Sequence, residues 1–113
     1  MITNGLYFYS AKARDGVVGG GDGVMILRDG IMLGGSEFFY LVGTYSCSRG
    51  KWKGELTNRE HTPAPVTRPM AGKTVSIGFG GTYTDNGAQI ELTALVGKRS
   101  IQYHMSLRLL VAV

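Results

Sequence analysis

The sequence has few of the features that stabilise or anchor a small protein without a hydrophobic core. Cys47 is the only cysteine, so no disulfide can form within the chain, and this usage is compatible with a reducing cytoplasm. The longest apolar stretch, residues 109–113, is far shorter than a membrane span. The N-terminus lacks the basic and apolar parts of a secretory signal. We therefore expect a cytoplasmic protein without membrane contact, folded as one domain over residues 1–113.

Motifs that carry catalysis are also missing from the sequence. It contains no GxSxG, HExxH, CxxC or P-loop pattern. The glycine-rich segment 19–23 resembles a phosphate loop, but no lysine follows it and the next residues have a strand pattern, so we predict a turn between strands. His61 lies beside Glu60, but adjacent strand residues point to opposite faces, and His104 falls on the polar face of a predicted strand. We expect no enzymatic activity, no cofactor and no metal.

Charge of one sign is not concentrated anywhere. The net charge is +4, and most basic residues are scattered along the chain. One group, formed by Arg49, Lys51, Lys53 and Arg59, is explained equally well by the solvated face of a strand. Helix-turn-helix, zinc-finger and RNP patterns are absent. We expect no binding of nucleic acid.

Proline is scarce, and all three prolines lie between residues 61 and 72. Proline cannot donate a hydrogen bond to a strand ladder, so this segment is predicted to be a loop. Two interpretations remain open. The segment is either a surface connector between two halves of the sheet or a functional loop at the rim.

Helical spacing of apolar residues is scarce, whereas alternation with period two is common. Apolar and polar residues alternate along 101–109 and along 89–96, with a short turn at 97–99 between them. In the front half, Asp29-Gly30 between two apolar runs is a strong hairpin signal. Apolar runs between glycine-containing turns predict about eight short antiparallel strands, in a sandwich or a barrel.

Two features favour the barrel over the sandwich. The unit beginning Gly43-Thr44-Tyr45 is echoed by the unit beginning Gly81-Thr82-Tyr83, as expected of repeated hairpins in an up-and-down barrel. Closure would also remove both unpaired edges of the sheet. An eight-stranded bore is just wide enough to be filled by side chains or to hold one small ligand. As candidates for the barrel interior or a ligand lining we name Leu6, Phe8, Ile26, Trp52, Leu56, Phe79, Leu92, Tyr103, Met105 and Leu107.

The spacing of glycines and aromatics resembles that of a known family, the GrlR-like proteins. The founding member is a negative regulator of type III secretion gene expression in enteric pathogens. The resemblance covers most of the chain and is densest over residues 4–62. It is carried by Asn4-Gly5-Leu6-Tyr7, Gly23-Val24, Leu27, Asp29-Gly30, Gly34-Gly35, Tyr40, Gly43 and Tyr45.

The resemblance implies a closed, lipocalin-like barrel of eight strands, a homodimer, and a regulatory role through binding a transcriptional activator protein. The family's founding member uses four acidic residues in the turn after the fourth strand. The matching turn here, the candidate partner-binding turn, is Cys47-Ser48-Arg49-Gly50, which has no acidic residue. Two hypotheses follow: a regulatory domain that binds an unknown protein partner, or a carrier or sensor of a small hydrophobic ligand held in the barrel.

Overall fold

Eight antiparallel strands form one closed barrel in the structure, which is a computed structural model that describes residues 2–14 and 20–113. The strands are β1 (Gly5–Ala13), β2 (Gly20–Arg28), β3 (Ile31–Gly35), β4 (Phe39–Ser48), β5 (Lys51–Glu60), β6 (Val75–Tyr83), β7 (Gly87–Val96) and β8 (Arg99–Ala112). Each strand pairs with the next along the chain, and β8 pairs with β1. The predicted all-β barrel of about eight strands is therefore confirmed.

Two of the hairpins have two-residue turns with left-handed backbone conformations. Asp29 and Gly30, between β2 and β3, have φ angles of 49° and 88°. Arg49 and Gly50, between β4 and β5, have φ angles of 55° and 79°. Positive φ at both central residues is typical of turns whose twist matches that of the flanking strands. The Asp29-Gly30 hairpin predicted from the sequence is confirmed.

The prediction of a turn at the glycine-rich segment 19–23 is wrong for residues 20–23, which the structure describes as strand. Gly19 lies outside the described residues, and Gly20–Gly23 are part of β2. Gly23 lies where the barrel leaves no space for a side chain, because an added Cβ would be 2.3 Å from the carbonyl oxygen of Gly35. The small residues therefore permit close strand packing at this position and do not mark a chain reversal.

The two ends of the barrel are built differently. The proline-loop end contains the connection 36–38, the turn 97–98 and the long connection 61–74 between β5 and β6. The terminal end contains Ile2, the C-terminal residue Val113 and the turns 29–30, 49–50 and 84–86. At this end Ile2 is only 2% exposed, and Val113 donates a backbone hydrogen bond to Asn4 at 3.0 Å. The terminal end is thereby covered by the chain's own N-terminal residues.

Candidate functional site

The bore of the barrel is largely filled by side chains. At the terminal end an aromatic cluster packs edge to face, with Trp52 ring centroids 5.6 Å from Tyr45 and 5.0 Å from Phe79. Tyr7 donates a hydrogen bond to the carbonyl oxygen of Thr3 at 2.6 Å, and burial raises the pKa of Tyr7. This half of the barrel is a packed core with no room for a ligand as large as a lipid.

Most of the predicted interior residues do lie in the core. Buried side chains include Trp52, Leu56, Phe79, Leu92, Tyr103, Met105 and Leu107. These residues come from strands whose two faces differ clearly in polarity, so alternation identifies the inward face.

The prediction is wrong for Leu6, Phe8 and Ile26. Ile26 is 45% exposed, and its neighbours Met25 and Leu27 are buried in its place. In β1 the buried side chains are Tyr7 and Tyr9, whereas Leu6 and Phe8 are only half-buried. Both faces of β1 and of β2 carry apolar residues, so their alternation does not indicate which face points inward.

A cavity of about 80 Å³ remains at the proline-loop end. The strands supply apolar walls, the loop residues Arg68, Pro69 and Met70 contribute to one side, and Ser36 and Gly21 lie at the rim. The full lining consists of Tyr9, Ala11, Gly21, Ser36, Phe39, Leu41, Asn58, Arg68, Pro69, Met70, Ile77, Leu92, Tyr103 and Met105. We call this space the proline-loop cavity.

One polar side chain stands out in the lining of this cavity. Asn58 is 6% exposed and is the only polar side chain in the buried core of the described chain. Its Nδ2 atom donates to the sulfur of Met70 at 3.2 Å, and a thioether is a weak acceptor. Burial of Tyr9, at the same cavity, raises the pKa of its hydroxyl, although a hydrogen bond with the Ser36 side chain opposes the increase.

The loop beside the cavity is held by two side chains at its start. One carboxylate oxygen of Glu60 accepts hydrogen bonds from the backbone N–H groups of Ala64 at 3.1 Å and Gly72 at 2.8 Å. His61 Nε2 donates to the carbonyl oxygen of Ser36 at 2.9 Å, which joins the loop to the β3–β4 connection. The Glu60–His61 pair therefore orders the loop, and its members do not bind each other.

The outer surface of β1 to β4 is apolar to an unusual degree. Leu6, Ile26, Leu33 and Val42 are consecutive cross-strand partners, and Val111 on β8 extends this row beyond Leu6. A second row contains Phe8, Val24, Gly35 and Tyr40, and Ile31 lies beside the first. The exposed members on β2 to β4 are each between 36 and 52% exposed. We call Leu6, Phe8, Val24, Ile26, Ile31, Leu33, Tyr40, Val42 and Val111 the apolar outer face.

The opposite side of the barrel is polar. The outward residues of β5 are Lys51, Lys53, Glu55, Thr57 and Arg59, and those of β7 begin with Gln89, Glu91 and Thr93. His104 is hydrogen-bonded through Nδ1 to Glu91 at 2.8 Å and through Nε2 to Gln89 at 2.7 Å. Arg14 contacts the same carboxylate at 3.0 Å, and the hydrogen bond with His104 is the main cause of the lowered pKa of Glu91.

Only two of the four residues of the candidate partner-binding turn lie outside the strands. Cys47 and Ser48 are the last residues of β4, and only Arg49 and Gly50 form the connection to β5. Cys47 is half-buried and packs against the core. The exposed side chains at this turn are those of Ser48 and Arg49.

The described part of the chain contains neither a cluster of potential metal ligands nor a helix that could span a membrane. Within residues 2–14 and 20–113, no group of three or more His, Cys, Asp or Glu side chains is placed to hold a metal ion. None of the described segments forms a helix long and apolar enough to span a membrane. Comparison with known family models found no match, and neither did a search of curated proteins.

Proposed function

We propose that this chain is a non-catalytic regulatory domain of the cytoplasm that acts by binding proteins, and that its first partner is a second copy of itself. The observation that carries the proposal is the apolar outer face, in which Leu6, Ile26, Leu33 and Val42 form a continuous row across four strands. An isolated exposed leucine is ordinary, but a contiguous apolar patch on a protein surface marks an interaction site.

The apolar outer face has the dimensions of the centre of a protein interface. With a strand spacing of about 4.8 Å, its five strands make it roughly 20 Å wide, and its rows extend along the strands for about 13 Å. A stable interface typically buries about 800 Å² on each partner, with an apolar centre and a polar rim. The apolar outer face would supply the centre of such an interface.

Charges at the two ends of this face favour a second copy as the occupant. The outward residues of β2 are Asp22, Val24, Ile26 and Arg28, so the apolar pair lies between an acidic and a basic residue, both exposed. In a two-fold dimer the same patch is used twice, and an axis perpendicular to β2 makes the two β2 strands run in opposite directions. Asp22 of each copy would then approach Arg28 of the other, which lies 3.9 Å from Asp29 of its own chain, and in this arrangement the face is complementary to itself.

The resemblance to the GrlR-like family adds a role to this proposal, namely negative regulation of gene expression through a bound activator protein. The acidic turn that serves this purpose in the founding member has no counterpart here. Ser48 and Arg49 are the exposed side chains of the corresponding turn, and we propose them as a second contact for a partner that the sequence leaves unidentified.

The oligomeric state tests the proposal. Light scattering coupled to gel filtration should show a dimer of the unmodified chain, and the double variant Ile26→Glu, Leu33→Glu should run as a monomer because two buried carboxylates would face the partner's apolar row. The matched control Ser76→Glu, Thr93→Glu introduces the same charges on the polar side and should remain dimeric. A monomeric unmodified chain at every concentration, or a dimeric double variant, would refute the proposed dimer.

A further inference from the structure

The proline-loop cavity combines three features that the packed half of the barrel does not have. It retains unfilled volume, it is bordered by a loop that is not part of the sheet, and it contains the buried amide side chain of Asn58. A buried amide without good hydrogen bonds destabilises a protein, so an asparagine at an inward position of a strand requires an explanation.

The contact of Asn58 through its Nδ2 atom does not supply one. Its register partners are Leu41 on β4 and Val75 on β6, both buried and apolar. The amide group of asparagine offers two N–H donors, and here the described acceptor for Nδ2 is the sulfur of Met70, 3.2 Å away. Leucine or valine would fill this position at lower cost if packing were the only requirement.

We propose that the proline-loop cavity binds a small, uncharged molecule with an apolar body and a carbonyl or hydroxyl oxygen, and that Asn58 recognises this oxygen. The oxygen is a stronger acceptor than a thioether, so the ligand would replace Met70 as the partner of Nδ2. Met70 belongs to the loop and has a flexible, unbranched side chain, so it can move aside without disturbing the strands.

The size and polarity of the cavity define the class of ligand. Its volume of about 80 Å³, with Met70 in place, is close to half that of the roughly 150 Å³ engineered cavity that binds benzene. Withdrawal of the Met70 side chain adds space, so a ligand of about the size of benzene or smaller fits. Leu41, Ile77 and Leu92 line the cavity around Asn58, and burying an unpaired charge among them would be costly. Arg68 is the one cation in the described lining, and it already has an interaction of its own. A short aliphatic amide, ketone or alcohol fits both constraints, whereas a fatty acid does not.

Titration with propionamide, followed by NMR of the full chain, tests this site. We expect shifts in the side-chain amide of Asn58, in the methyl group of Met70 and in Ile77 and Leu92. The variant Asn58→Leu should weaken propionamide binding about fivefold to tenfold, as expected for one lost hydrogen bond. Xenon, which enters apolar cavities, should still bind to that variant.

Two further variants keep the test decisive if Asn58→Leu proves unstable. Met70→Leu removes the competing acceptor while keeping the bulk, and should tighten propionamide binding. Leu92→Trp fills the cavity and should abolish binding of both probes, whereas the surface control Thr93→Val should change neither. Absence of propionamide shifts at the cavity, or equal affinity of Asn58→Leu and the unmodified chain, would overturn the proposal. Because the apolar outer face lies on the other side of the sheet, either result leaves the proposed dimer unaffected.

Discussion

The side chain of Glu60 accepts a hydrogen bond from the backbone N–H of Gly72 at 2.8 Å, across twelve residues of chain. The same oxygen accepts from Ala64, so one carboxylate holds both arms of the proline loop. A loop with three prolines has few backbone hydrogen bonds of its own, and an ionised carboxylate makes stronger hydrogen bonds to N–H groups than a neutral acceptor does. The order of this loop therefore depends on the charge of Glu60.

We predict that acid loosens the proline loop. Hydrogen bonds from Gly72 and Ala64 lower the pKa of Glu60 below its ordinary value of 4.5. A lowered pKa in the folded protein means that the stabilisation is present above pH 4.5 and is lost as the pH falls through the lowered value. Amide hydrogen exchange at Ala64 and Gly72 should then accelerate relative to that of β5.

The variant Glu60→Gln separates this effect from general acid unfolding. It keeps an acceptor oxygen but has no charge to lose, so its loop should be less protected from exchange at neutral pH than that of the unmodified chain. Its protection relative to β5 should then change little in acid. Glu55→Gln, on the exposed face of the same strand, should behave like the unmodified chain. If Glu60→Gln and the unmodified chain had the same pH profile at Gly72, the carboxylate would not control the loop.

A second prediction concerns Trp52, which is 1% exposed and whose Nε1 finds no hydrogen-bond partner among the described residues. Trp52→Ala should lower the free energy of unfolding by about 3–5 kcal/mol, because it removes the centre of the aromatic cluster. Trp52→Phe should cost much less, because it keeps most of the buried aromatic volume while also removing the unpaired N–H. Urea unfolding measures the free energy of unfolding of both variants. The control is Lys53→Ala, a change at an exposed neighbour, which should stay within about 0.5 kcal/mol of the unmodified chain. A loss for Trp52→Phe as large as that for Trp52→Ala would contradict this prediction.

A third prediction compares two glycines on β6. A Cβ atom at Gly81 would lie 2.0 Å from the carbonyl oxygen of Gln89, whereas at Gly78 it would have no atom within 4 Å. Gly81→Ala should therefore destabilise the barrel by about 1–3 kcal/mol through overpacking against the β7 backbone. Gly78→Ala should be neutral or slightly stabilising, because alanine restricts the unfolded chain. Thermal unfolding of the two variants provides the comparison, and equal melting temperatures would contradict it.

A fourth prediction concerns the turn between β4 and β5. Arg49 has a φ of 55°, a conformation that disfavours most side chains but is tolerated by asparagine. Arg49→Asn should raise the free energy of unfolding by up to about 1 kcal/mol, while Gly50→Ala, at a φ of 79°, should lower it. Chemical unfolding curves test the sign of each change in the free energy of unfolding. A destabilised Arg49→Asn variant would indicate that the arginine side chain has a structural contact.

The sequence predicted the fold more completely than the candidate site. Alternation in β5, β7 and β8 identified the inward residues from Trp52 to Leu107, because one face of each strand is polar. The same rule failed in β1 and β2, where Ile26 and Met25 are equally apolar. That failure is informative, since the outward apolar residues that defeated it form the apolar outer face. Asn58 was not recognised as a site residue, although the alternation that places Trp52 and Leu56 inside extends to it. A polar residue near the end of a strand is usually exposed, so its burial shows only once the proline loop is placed over it.

The sequence by itself determined that the chain is all-β, that it has about eight short strands, and where the Asp29-Gly30 hairpin turns. These properties depend on local alternation and on backbone conformations that only a few residues adopt readily. Only the tertiary structure decided which face of β1 and β2 is buried, that Cys47 packs inward, and that Asn58 meets Met70 beside the remaining cavity. Which face of β1 and β2 is buried is decided when β8 pairs with β1 and the barrel closes around its interior. The contact between Asn58 and Met70 is decided by how the proline loop packs against the end of β5.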